Sequence, residues 1–373
     1  MKIPDLFGKL LAEIILRTPL AADKFLRWTI IANPTAGGFT IKSRWKAHAA
    51  MLLKCVEQAR ANPLHPDAAP SQTAAREGDV FGLITTAGGG HAQSITEALV
   101  EEARKAAAES PSFKPFFLII TAGGDGTSLE VLSALFNAPE EIRRSFAVLR
   151  LPMGTGNDGA DAWELDAALG RLTGSADIVF QRALRLSTAT PGKGPFLAFN
   201  ILSVGLDAFV THMTNKMKGK LPGDSYKLWV DVASLLYDRL YKVGPLEVKA
   251  FNEAGEEAAS FTEKLLLLAV GESGYRTYGS HKRILPDERN VCAVKQMSVF
   301  RKVALKGLFT TGEHINKPES ILFSARRVEF KGKYPILAQM DGESVLLGPA
   351  DFPAAIELTP PSIPILIRKH LVN

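Results

Sequence analysis

Cysteine is scarce in this chain, which has only Cys55 and Cys292 among its 373 residues. No other metal-type Cys or His lies near either one in the sequence, so a disulfide framework and a zinc site are excluded and a reducing compartment is predicted. Long apolar runs are also missing, and no stretch reaches the length of a membrane span. Asp5, Lys9 and Glu13 interrupt the N-terminal apolar stretch, which argues against a signal peptide. We therefore expect a cytoplasmic protein without a transmembrane segment.

Two further patterns are absent. There is no Walker A motif, Gly-x-x-x-x-Gly-Lys-Ser/Thr, so the chain is not a standard P-loop enzyme. Neither an internal repeat nor a low-complexity segment occurs. No nucleic-acid partner is predicted, and the sequence leaves the oligomeric state open, a homo-oligomer included.

The composition is that of an ordinary globular protein, with 46% hydrophobic and 22% charged residues, and the length suits two domains. The net charge of +5 is spread unevenly along the chain. Residues 1–164 carry 17 Lys and Arg against 18 Asp and Glu, which leaves 27 against 21 downstream. A mildly basic second half suits an anionic membrane surface or an anionic substrate.

The first residues place an apolar stripe on one helical face. Its members are Leu6, Phe7, Leu10, Leu11, Ile14 and Ile15. Two interpretations are open at this point. We favour a helix that packs on its own domain, because such stripes usually face a core. The alternative is an interfacial helix that helps the protein to reach lipid.

The next part of the chain alternates between apolar strands and amphipathic helices. Strands are predicted at Trp28–Ala32, Asp79–Thr85, Phe116–Thr121 and Phe146–Leu151, and helices at Ile41–Arg60, His91–Glu109 and Ser128–Phe136. Strands that are apolar throughout and are separated by helices indicate a parallel sheet covered on both faces. The sequence therefore predicts a three-layer α/β domain.

After about Leu165 the pattern changes to short alternating runs, which predict an antiparallel sheet domain. The runs are Phe196–Leu202, Leu246–Phe251, Lys264–Val270, Val291–Val299 and Ala325–Phe330, with one helix at about Tyr226–Leu240. The predicted domains are an N-terminal helical extension at 1–27, an α/β domain at 28–164 to which 352–373 returns, and a β-sandwich domain at 165–351.

Three Gly-rich turns each follow directly after a predicted strand of the parallel sheet. They are Asn33-Pro34-Thr35-Ala36-Gly37-Gly38, Gly123-Gly124-Asp125-Gly126-Thr127 and Gly154-Thr155-Gly156-Asn157-Asp158. Ligands of open parallel sheets bind beyond the carboxyl ends of the strands, so these turns should line one site. Glycine lets backbone N–H groups approach an anion closely, and a following helix adds the positive end of its dipole. The three turns therefore predict a phosphate cradle.

The middle turn holds an acid where an anion is expected. Thr127 and Glu130 match a capping box, which explains both without a ligand. Asp125 would repel a polyphosphate unless it holds Mg²⁺ or accepts a proton from an attacking hydroxyl. An Asp chosen only for turn geometry is the plain alternative.

Two other patterns allow more than one interpretation. Gly154-x-Gly156-x-x-Gly159 is the dinucleotide-binding pattern, but it follows the fourth strand rather than the first, which disfavours an oxidoreductase. Asp341-Gly342 between alternating apolar residues predicts a hairpin turn first and a catalytic site second. A tight hairpin could still present Glu343 rigidly to a ligand.

Taken together, these segments resemble the diacylglycerol kinase catalytic family, which includes bacterial diacylglycerol kinases, related bacterial lipid kinases and sphingosine kinases. The resemblance is carried by the three turns, by Thr86 followed by His91-Ala92, by Pro152 ahead of the third turn, and by Asp341-Gly342-Glu343. Weaker matches are Asn200-x-x-Ser203-x-Gly205-x-Asp207-Ala208 and Gly312-Glu313-His314. The motifs occur in family order over about residues 28–345.

The resemblance implies a fold, an activity and a set of residue roles. The fold is an α/β domain like that of NAD kinases and phosphofructokinases, followed by an antiparallel β-sandwich. The activity is transfer of the γ-phosphoryl group of ATP, with Mg²⁺, to a hydroxyl of a lipid at a membrane surface. Nucleotide-binding positions are Asn33, Pro34, Thr35, Ala36, Gly37, Thr86, Gly123, Gly124, Gly126, Thr127, Glu130, Gly154, Thr155 and Asn157.

Catalytic positions implied by the resemblance are Asp125, Asp341 and Glu343, and the general base is Glu343 or Asp125. Asp125 is also the predicted metal ligand, and Asp207 and Asp158 are placed towards the substrate. Membrane-facing candidates are Met213, Lys216, Met217, Lys218 and Lys220, with the helix after Tyr226.

This chain also departs from the family pattern. After Asp158 the usual Phe-Ala-Arg is replaced by Gly159-Ala160-Asp161, and the loop near Leu285-Pro286-Asp287 lacks the usual Asp-Gly pair, which puts a structural Mg²⁺ site there in doubt. Two alternatives to a lipid kinase therefore stay open. One is an NAD kinase-like enzyme, and the other is a nucleotide-binding protein without turnover.

Overall fold

The computed structural model describes residues 2–22, 24–65, 81–109, 115–154, 156–217, 237, 241–279 and 282–369. The chain divides into two compact units, Met1–Gln181 with Pro361–Asn373, and Arg182–Pro360. The domain limits placed by the sequence at 28, 165 and 352 stay a prediction. Thr155, residues 218–220 and all of the predicted helix at 226–240 except Tyr237 lie outside the described residues.

The first unit is built on a six-stranded sheet in the order β2-β1-β3-β4-β19-β5. The strands are β1 (Leu26–Ala32), β2 (Gly82–Thr85), β3 (Phe116–Gly123), β4 (Phe146–Pro152), β5 (Ala176–Gln181) and β19 (Ile363–Arg368). The first five in this order run parallel, and only β5 is antiparallel to its neighbour. Every residue of β3 and β4 is buried, as expected for strands covered on both faces.

Helices cover both faces of this sheet. They are α1 (Ile3–Ile15), α2 (Gly37–Thr40), α3 (Lys42–Ala59), α4 (His91–Glu109), α5 (Asp125–Phe136), α6 (Glu140–Arg143) and α7 (Leu165–Thr173). The helices α1, α3 and α7 share one core with alternate strand residues such as Ile30 and Ile120. On the other face, Thr121 of β3 meets Ser128 of α5 with 3.1 Å between their hydroxyl oxygens. The predicted three-layer arrangement is confirmed.

The apolar stripe of α1 faces the interior. Phe7, Leu11, Ile14 and Ile15 are fully buried and pack in the same core as Leu52 of α3. The first interpretation of this helix, packing on its own domain, is therefore confirmed. The interfacial alternative is wrong, because the stripe that would enter a membrane is already covered.

The second unit is an antiparallel sheet of eleven strands with a separate two-stranded ribbon. The strands are β6 (Leu184–Ser187), β7 (Phe196–Ala198), β8 (Ile201–Gly205), β9 (Pro245–Phe251), β10 (Glu257–Gly271), β11 (Arg276–Tyr278), β12 (Lys282–Leu285), β13 (Val291–Lys295), β14 (Ser320–Phe323), β15 (Arg327–Gly332), β16 (Ile336–Met340), β17 (Glu343–Leu347) and β18 (Ala354–Leu358). Its helices are α8 (Leu206–Met217), α9 (Val299–Lys306) and α10 (Leu308–Thr311).

The long strand β10 joins two halves of this sheet. Its first part pairs with β9, whereas its second part pairs with β8 and β13. Residues from both halves, such as Val248 and Val204, lie in one apolar core. The predicted antiparallel sandwich is confirmed.

Two predicted strands of this unit were wrong in part. Phe196–Leu202 is not one strand but two, because the chain breaks at Phe199 and Asn200, whose N–H groups bind a side chain instead of a neighbouring strand. The second predicted strand, Val291–Val299, ends at Lys295 in the structure. Val299 is instead the first residue of α9, and the hydroxyl of Ser298 caps the N-terminus of this helix.

Candidate active site

The first and third Gly-rich turns touch each other at the carboxyl edge of the parallel sheet. The N–H of Gly38 donates to the carbonyl of Met153 at 2.8 Å. A Cβ built at Gly38 would lie 2.9 Å from the same carbonyl oxygen, so only glycine fits there. The Arg44 guanidinium also donates to the carbonyl of Gly154 at 3.3 Å. The turns after β1 and β4 are therefore fixed to one another.

The second and third turns approach even more closely. A Cβ built at Gly154 would lie 2.5 Å from the Cα of Gly124, a distance that real Cβ atoms do not show. The backbones of these two turns can therefore meet only because position 154 is glycine, whereas a Cβ at Gly124 would lie at an ordinary contact distance of 3.6 Å from the Cα of Gly154. The structure thus brings all three predicted turns together at one edge of the sheet, as parallel strands require.

Two asparagines shape the turns from within. Asn157 has a φ of 57° and accepts the N–H of Gly154 on its side-chain oxygen at 2.6 Å. Asn33 accepts the N–H and the hydroxyl of Thr35 at 3.0 and 2.8 Å, which forms an Asx turn. Both side-chain oxygens are used for turn geometry, so any contact with a ligand would have to come from other atoms of these residues.

The remaining first-turn residues lie at the start of α2, where Pro34 and Ala36 precede Gly37. Thr86 follows β2 at the same edge of the sheet, and its N–H donates to the carbonyl of Ala32 at 2.8 Å. This position places Thr86 beside the first turn. Thr155, another of the predicted nucleotide-binding threonines, lies outside the described residues.

The N-terminus of α5 is open to a ligand. Its N-cap, Gly124, provides no side chain to accept the first N–H groups of the helix. A Cβ built at Gly126, the second residue of the helix, would meet nothing within 4 Å, so there is free space in front of this turn. Thr127 folds back towards Gly123, where a Cβ would collide with its Oγ1. This end of α5 fits an anion such as a phosphate.

Asp125 lies between the second and third turns. Its carboxylate accepts the N–H of Gly159 at 2.9 Å. Cβ atoms built at Gly156 and Gly159 would lie 3.1 and 3.3 Å from its two oxygens, so the third turn wraps closely around it. Burial raises the pKa of Asp125, opposed by the Gly159 N–H and by the charge of Arg150. A desolvated carboxylate beside a phosphate cradle is suited to hold a cation or to accept a proton.

Glu130 does not complete a capping box with Thr127, and that prediction was wrong. The helix α5 already begins at Asp125, so Glu130 lies in its second turn and faces a different helix. Its carboxylate accepts three N–H groups at the start of α4, those of Gly90, Ala92 and Gln93, at 2.8, 3.0 and 3.4 Å. Glu130 therefore caps α4, where a carboxylate also complements the helix dipole.

Asp161, one of the departures from the family pattern, organises a buried ion-pair network that sequence reasoning missed. Its carboxylate accepts the Arg150 guanidinium at 2.8 Å and the Arg150 N–H at 2.6 Å, and Arg171 lies 3.6 Å away. The side chains of Arg150 and Asp161 are 6% and 3% exposed, so the pair is desolvated. This network anchors the end of the third turn to β4.

In the second unit, Asp341 and Gly342 form the predicted hairpin turn between β16 and β17. Both have a positive φ, 45° and 100°, as a two-residue turn of this hand requires. The Asp341 carboxylate accepts backbone N–H groups of Phe199, Asn200 and Ile201, the last at 3.0 Å. These hydrogen bonds fix the hairpin to the segment that separates β7 from β8. Asp341 therefore positions the hairpin.

Glu343 is exposed at the first position of β17, opposite Met340. Asp207 lies at the start of α8 and accepts the Ser203 hydroxyl at 2.7 Å, and Gln339 donates to that hydroxyl at 2.9 Å. Next to Glu343, the hydroxyl of Ser344 lies 3.1 Å from Nδ1 of His212. The structure thus groups Asp207, Asp341 and Glu343 around β8, β16 and β17.

Within the described parts of the chain, no group of three or more His, Cys, Asp or Glu side chains is arranged to hold a metal ion. Mg²⁺ is commonly bound through one or two carboxylates together with waters and substrate phosphates. Asp125 fits that donor set, because it is a desolvated carboxylate at the rim of the cradle. Among the same described residues, no helix is both long and apolar enough to cross a bilayer.

Comparison with known proteins adds a family match. Residues 27–185 match the diacylglycerol kinase catalytic domain. A diacylglycerol kinase of Bacillus subtilis (strain 168) is 26% identical over 332 residues, which cover 87% of this chain and 92% of that protein. A protein of Pectobacterium atrosepticum named "Probable lipid kinase YegS-like" is 24% identical over 203 residues, which cover 53% of this chain and 62% of that protein.

Solved structures share the fold. A Bacillus anthracis str. Sterne structure described as "a putative diacylglycerol kinase" aligns with a TM-score of 0.56 at 18% identity and covers 93% of this chain and 96% of that one. A second structure from the same organism gives a TM-score of 0.53 at 18% identity, with 92% and 97% covered. At these identities the similarity concerns the fold alone, and it agrees with the parallel-sheet and antiparallel-sheet units described above.

Replacing Glu130 with alanine should destabilise the fold. Glu130→Ala removes the acceptor of the first N–H groups of α4, and the loss of such a cap costs about 1–2 kcal/mol of unfolding free energy. Urea denaturation measures this change, with Glu101→Ala on the exposed face of α4 as a matched control. An unchanged unfolding free energy together with lost ATP affinity would show instead that Glu130 binds nucleotide.

Replacing Asp125 with asparagine should make the ligand-free protein more stable near neutral pH. The raised pKa means that the folded protein keeps this proton to a higher pH than the unfolded chain does. Folding therefore becomes less favourable as the pH rises from the ordinary carboxyl range through the raised pKa. The asparagine side chain cannot ionise. The stability advantage of the variant should therefore disappear in acid, where Asp125 of the wild type is protonated in both the folded and the unfolded state.

Urea denaturation of Asp125→Asn at neutral and acidic pH measures this gain. Asp177→Asn, at an exposed position of β5, is the control and should show no comparable pH-dependent gain. A variant less stable than the wild type at neutral pH would mean that ionised Asp125 stabilises the ligand-free fold.

Proposed function

From the membership of residues 27–185 in the diacylglycerol kinase catalytic domain family, we infer that this chain transfers the γ-phosphoryl group of ATP to a hydroxyl of a lipid. A diacylglycerol-like lipid is the proposed acceptor, because the Bacillus subtilis relative that matches 87% of the chain is a diacylglycerol kinase. The observation that carries the proposal is the close backbone contact between the second and third turns, which requires glycine at position 154, with Asp125 held between them.

The three turns are proposed to bind the phosphates of ATP. The open N-terminus of α5 offers backbone N–H groups and the positive end of a twelve-residue helix. Neighbouring glycines leave room for an anion to approach the backbone, as at Gly126. Phosphoryl transfer depends mainly on positioning and on neutralising charge, and a rigid cradle of this kind supplies the positioning.

Asp125 is proposed to hold Mg²⁺ at the rim of this cradle. Bound Mg²⁺ neutralises charge on the phosphate oxygens during transfer. The N–H of Gly159 fixes one oxygen of Asp125, and the network of Asp161 with Arg150 supports the turn that carries Gly159. These contacts keep the carboxylate in one orientation before any ligand arrives.

A general base must remove the proton of the lipid hydroxyl as it attacks. Glu343 and Asp125 are the two proposed candidates, and both are carboxylates whose ionised form accepts a proton. Glu343 begins a strand whose hairpin is fixed by Asp341, so its backbone is well positioned. Asp207 and Asp158 are proposed to contact the substrate. Asp207 keeps an ordered position through the Ser203 hydroxyl.

Two substitutions should separate the roles of the carboxylates. Asp125→Asn should lower kcat on the order of 10²–10⁴-fold and weaken Mg²⁺-dependent ATP binding, because it removes the metal ligand. If Glu343 is the base, Glu343→Gln should lower kcat by a similar factor and leave ATP binding unchanged.

Turnover of labelled ATP and calorimetric ATP binding measure the two quantities, with Glu257→Gln, at an exposed position of β10, as the control. Wild-type turnover in Asp125→Asn would remove Asp125 from the mechanism. Wild-type turnover in Glu343→Gln would leave Asp125 as the only candidate base.

The acceptor is tested directly with labelled ATP and Mg²⁺. Diacylglycerol, a mixed lipid extract and NAD are offered in parallel, and the labelled products are separated by mobility. A labelled lipid supports the proposal, whereas labelled NADP would assign an NAD kinase activity. ATP binding without any labelled product would identify a nucleotide-binding protein without turnover.

A further inference from the structure

The helix α9 exposes its apolar side to solvent. Phe300 is 88% exposed and Val303, one turn later, is 55% exposed. The opposite side of the helix faces the protein, where Leu305 and even Lys302 are buried. A phenylalanine with nearly its whole surface in water loses the favourable transfer of its ring to an apolar environment. An apolar stripe of this kind, here Phe300 and Val303 on the solvent side of a short helix, indicates a surface that contacts a membrane or a binding partner.

The charges on the same helix are all positive. Arg301, Lys302 and Lys306 are its charged residues, and it contains no Asp or Glu. Lys302 is buried on the side that faces the protein, Arg301 pairs with Glu319 at 2.6 Å, and Lys306 is exposed in the last turn. An outward aromatic and aliphatic pair on a helix without acidic residues suits an anionic membrane surface.

A cluster of lysines lies close by in the same unit. The Lys242 ammonium lies 4.3 Å from the centroid of the Tyr334 ring, and a hydrogen bond from Lys242 together with the charges of Lys242, Lys333 and Lys264 lowers the pKa of Tyr334. All three lysines are exposed. Among the described residues, none of these three lysines forms an ion pair with a carboxylate, so no described acid neutralises the positive charge of this lysine cluster directly.

The lysine cluster and α9 are neighbours along the backbone. The N–H of Gln296 donates to the carbonyl of Lys264 at 2.7 Å, and α9 begins three residues later at Val299. The side chain of Met297, between them, packs against the core that contains Tyr237 and Leu266. The exposed apolar stripe and the lysines therefore belong to one continuous part of the second unit.

We propose that α9 and the lysine cluster form the surface by which the protein docks on an anionic phospholipid bilayer. Phe300 and Val303 enter the boundary between headgroups and acyl chains, while Lys242, Lys264 and Lys333 bind lipid phosphates. A bilayer is favoured over a protein partner because the helix has no acidic residue and the exposed lysine cluster in the same part of the unit complements lipid phosphates. The inference deepens the proposed function, since a lipid kinase must reach its substrate in a membrane, and it assigns a docking surface distinct from Met213 and Lys216.

Vesicle sedimentation without ATP tests the docking surface. The wild type should bind vesicles that contain about one third phosphatidylglycerol and should bind phosphatidylcholine vesicles at least about tenfold more weakly. Phe300→Ser with Val303→Ser should weaken binding to the anionic vesicles about tenfold or more, because two inserted apolar side chains are lost. Lys242→Gln, Lys264→Gln and Lys333→Gln together should weaken it on the order of 10²-fold at low salt.

Leu53→Ser is the matched control, because Leu53 is 53% exposed on α3 in the other unit and should not affect binding. Thermal unfolding shows whether each variant keeps its fold, as expected for changes at exposed positions. Wild-type vesicle binding by the Phe300/Val303 variant would overturn the proposal. Loss of a dimer in that variant, with no vesicle binding by the wild type, would assign the stripe to a second copy of the chain and would also overturn it.

Kinase activity is measured separately with a short-chain diacylglycerol that is dispersed in solution. If docking is wrong but the proposed function is right, this activity persists while vesicle binding is absent. If the proposed function is wrong, vesicle binding remains and no lipid is labelled. The two failures therefore give different results.

Discussion

The contact between the backbones of Gly124 and Gly154 is the constraint on which the site depends. A single Cβ at Gly154 would fall 2.5 Å from the neighbouring Cα and force the turns after β3 and β4 apart. Because Gly154 carries no Cβ, the third turn can close over Asp125 and donate the Gly159 N–H to it. The same absence of side chains leaves the start of α5 open. One steric condition thus produces both the enclosed carboxylate and the free helix terminus.

That arrangement carries a cost in stability, which other parts of the unit offset. Burial disfavours the charged form of Asp125, and the Gly159 N–H and the charge of Arg150 compensate only in part. Arg150 also belongs to the buried network with Asp161, which ties the end of the third turn to the sheet. The turn is therefore held both by this ion pair and by the Gly159 N–H that donates to Asp125.

The sequence predicted features whose causes are local, and it missed those whose causes are distant. Glycines directly after apolar strands, the Asp341-Gly342 hairpin and the stripe of α1 follow from short-range patterns, and the structure confirms them. Glu130 was misassigned because its partners, such as Ala92, lie on another helix that no spacing rule connects to it. The role of Asp161 was missed for the same reason, since nothing near it in the sequence indicates a pairing with Arg150.

The acids Glu130, Asp341, Asp125 and Glu343 differ in the surroundings of their carboxylates. Glu130 and Asp341 each accept three N–H groups, so their oxygens are committed to a helix start and to a broken strand. Asp125 also accepts backbone N–H groups, among them that of Gly159, but burial disfavours its charged form, and Glu343 lies exposed at the start of a strand. Motif position alone cannot separate these cases, because all four acids occur in or beside the predicted motifs. The burial of each carboxylate and the elements to which its N–H donors belong do separate them.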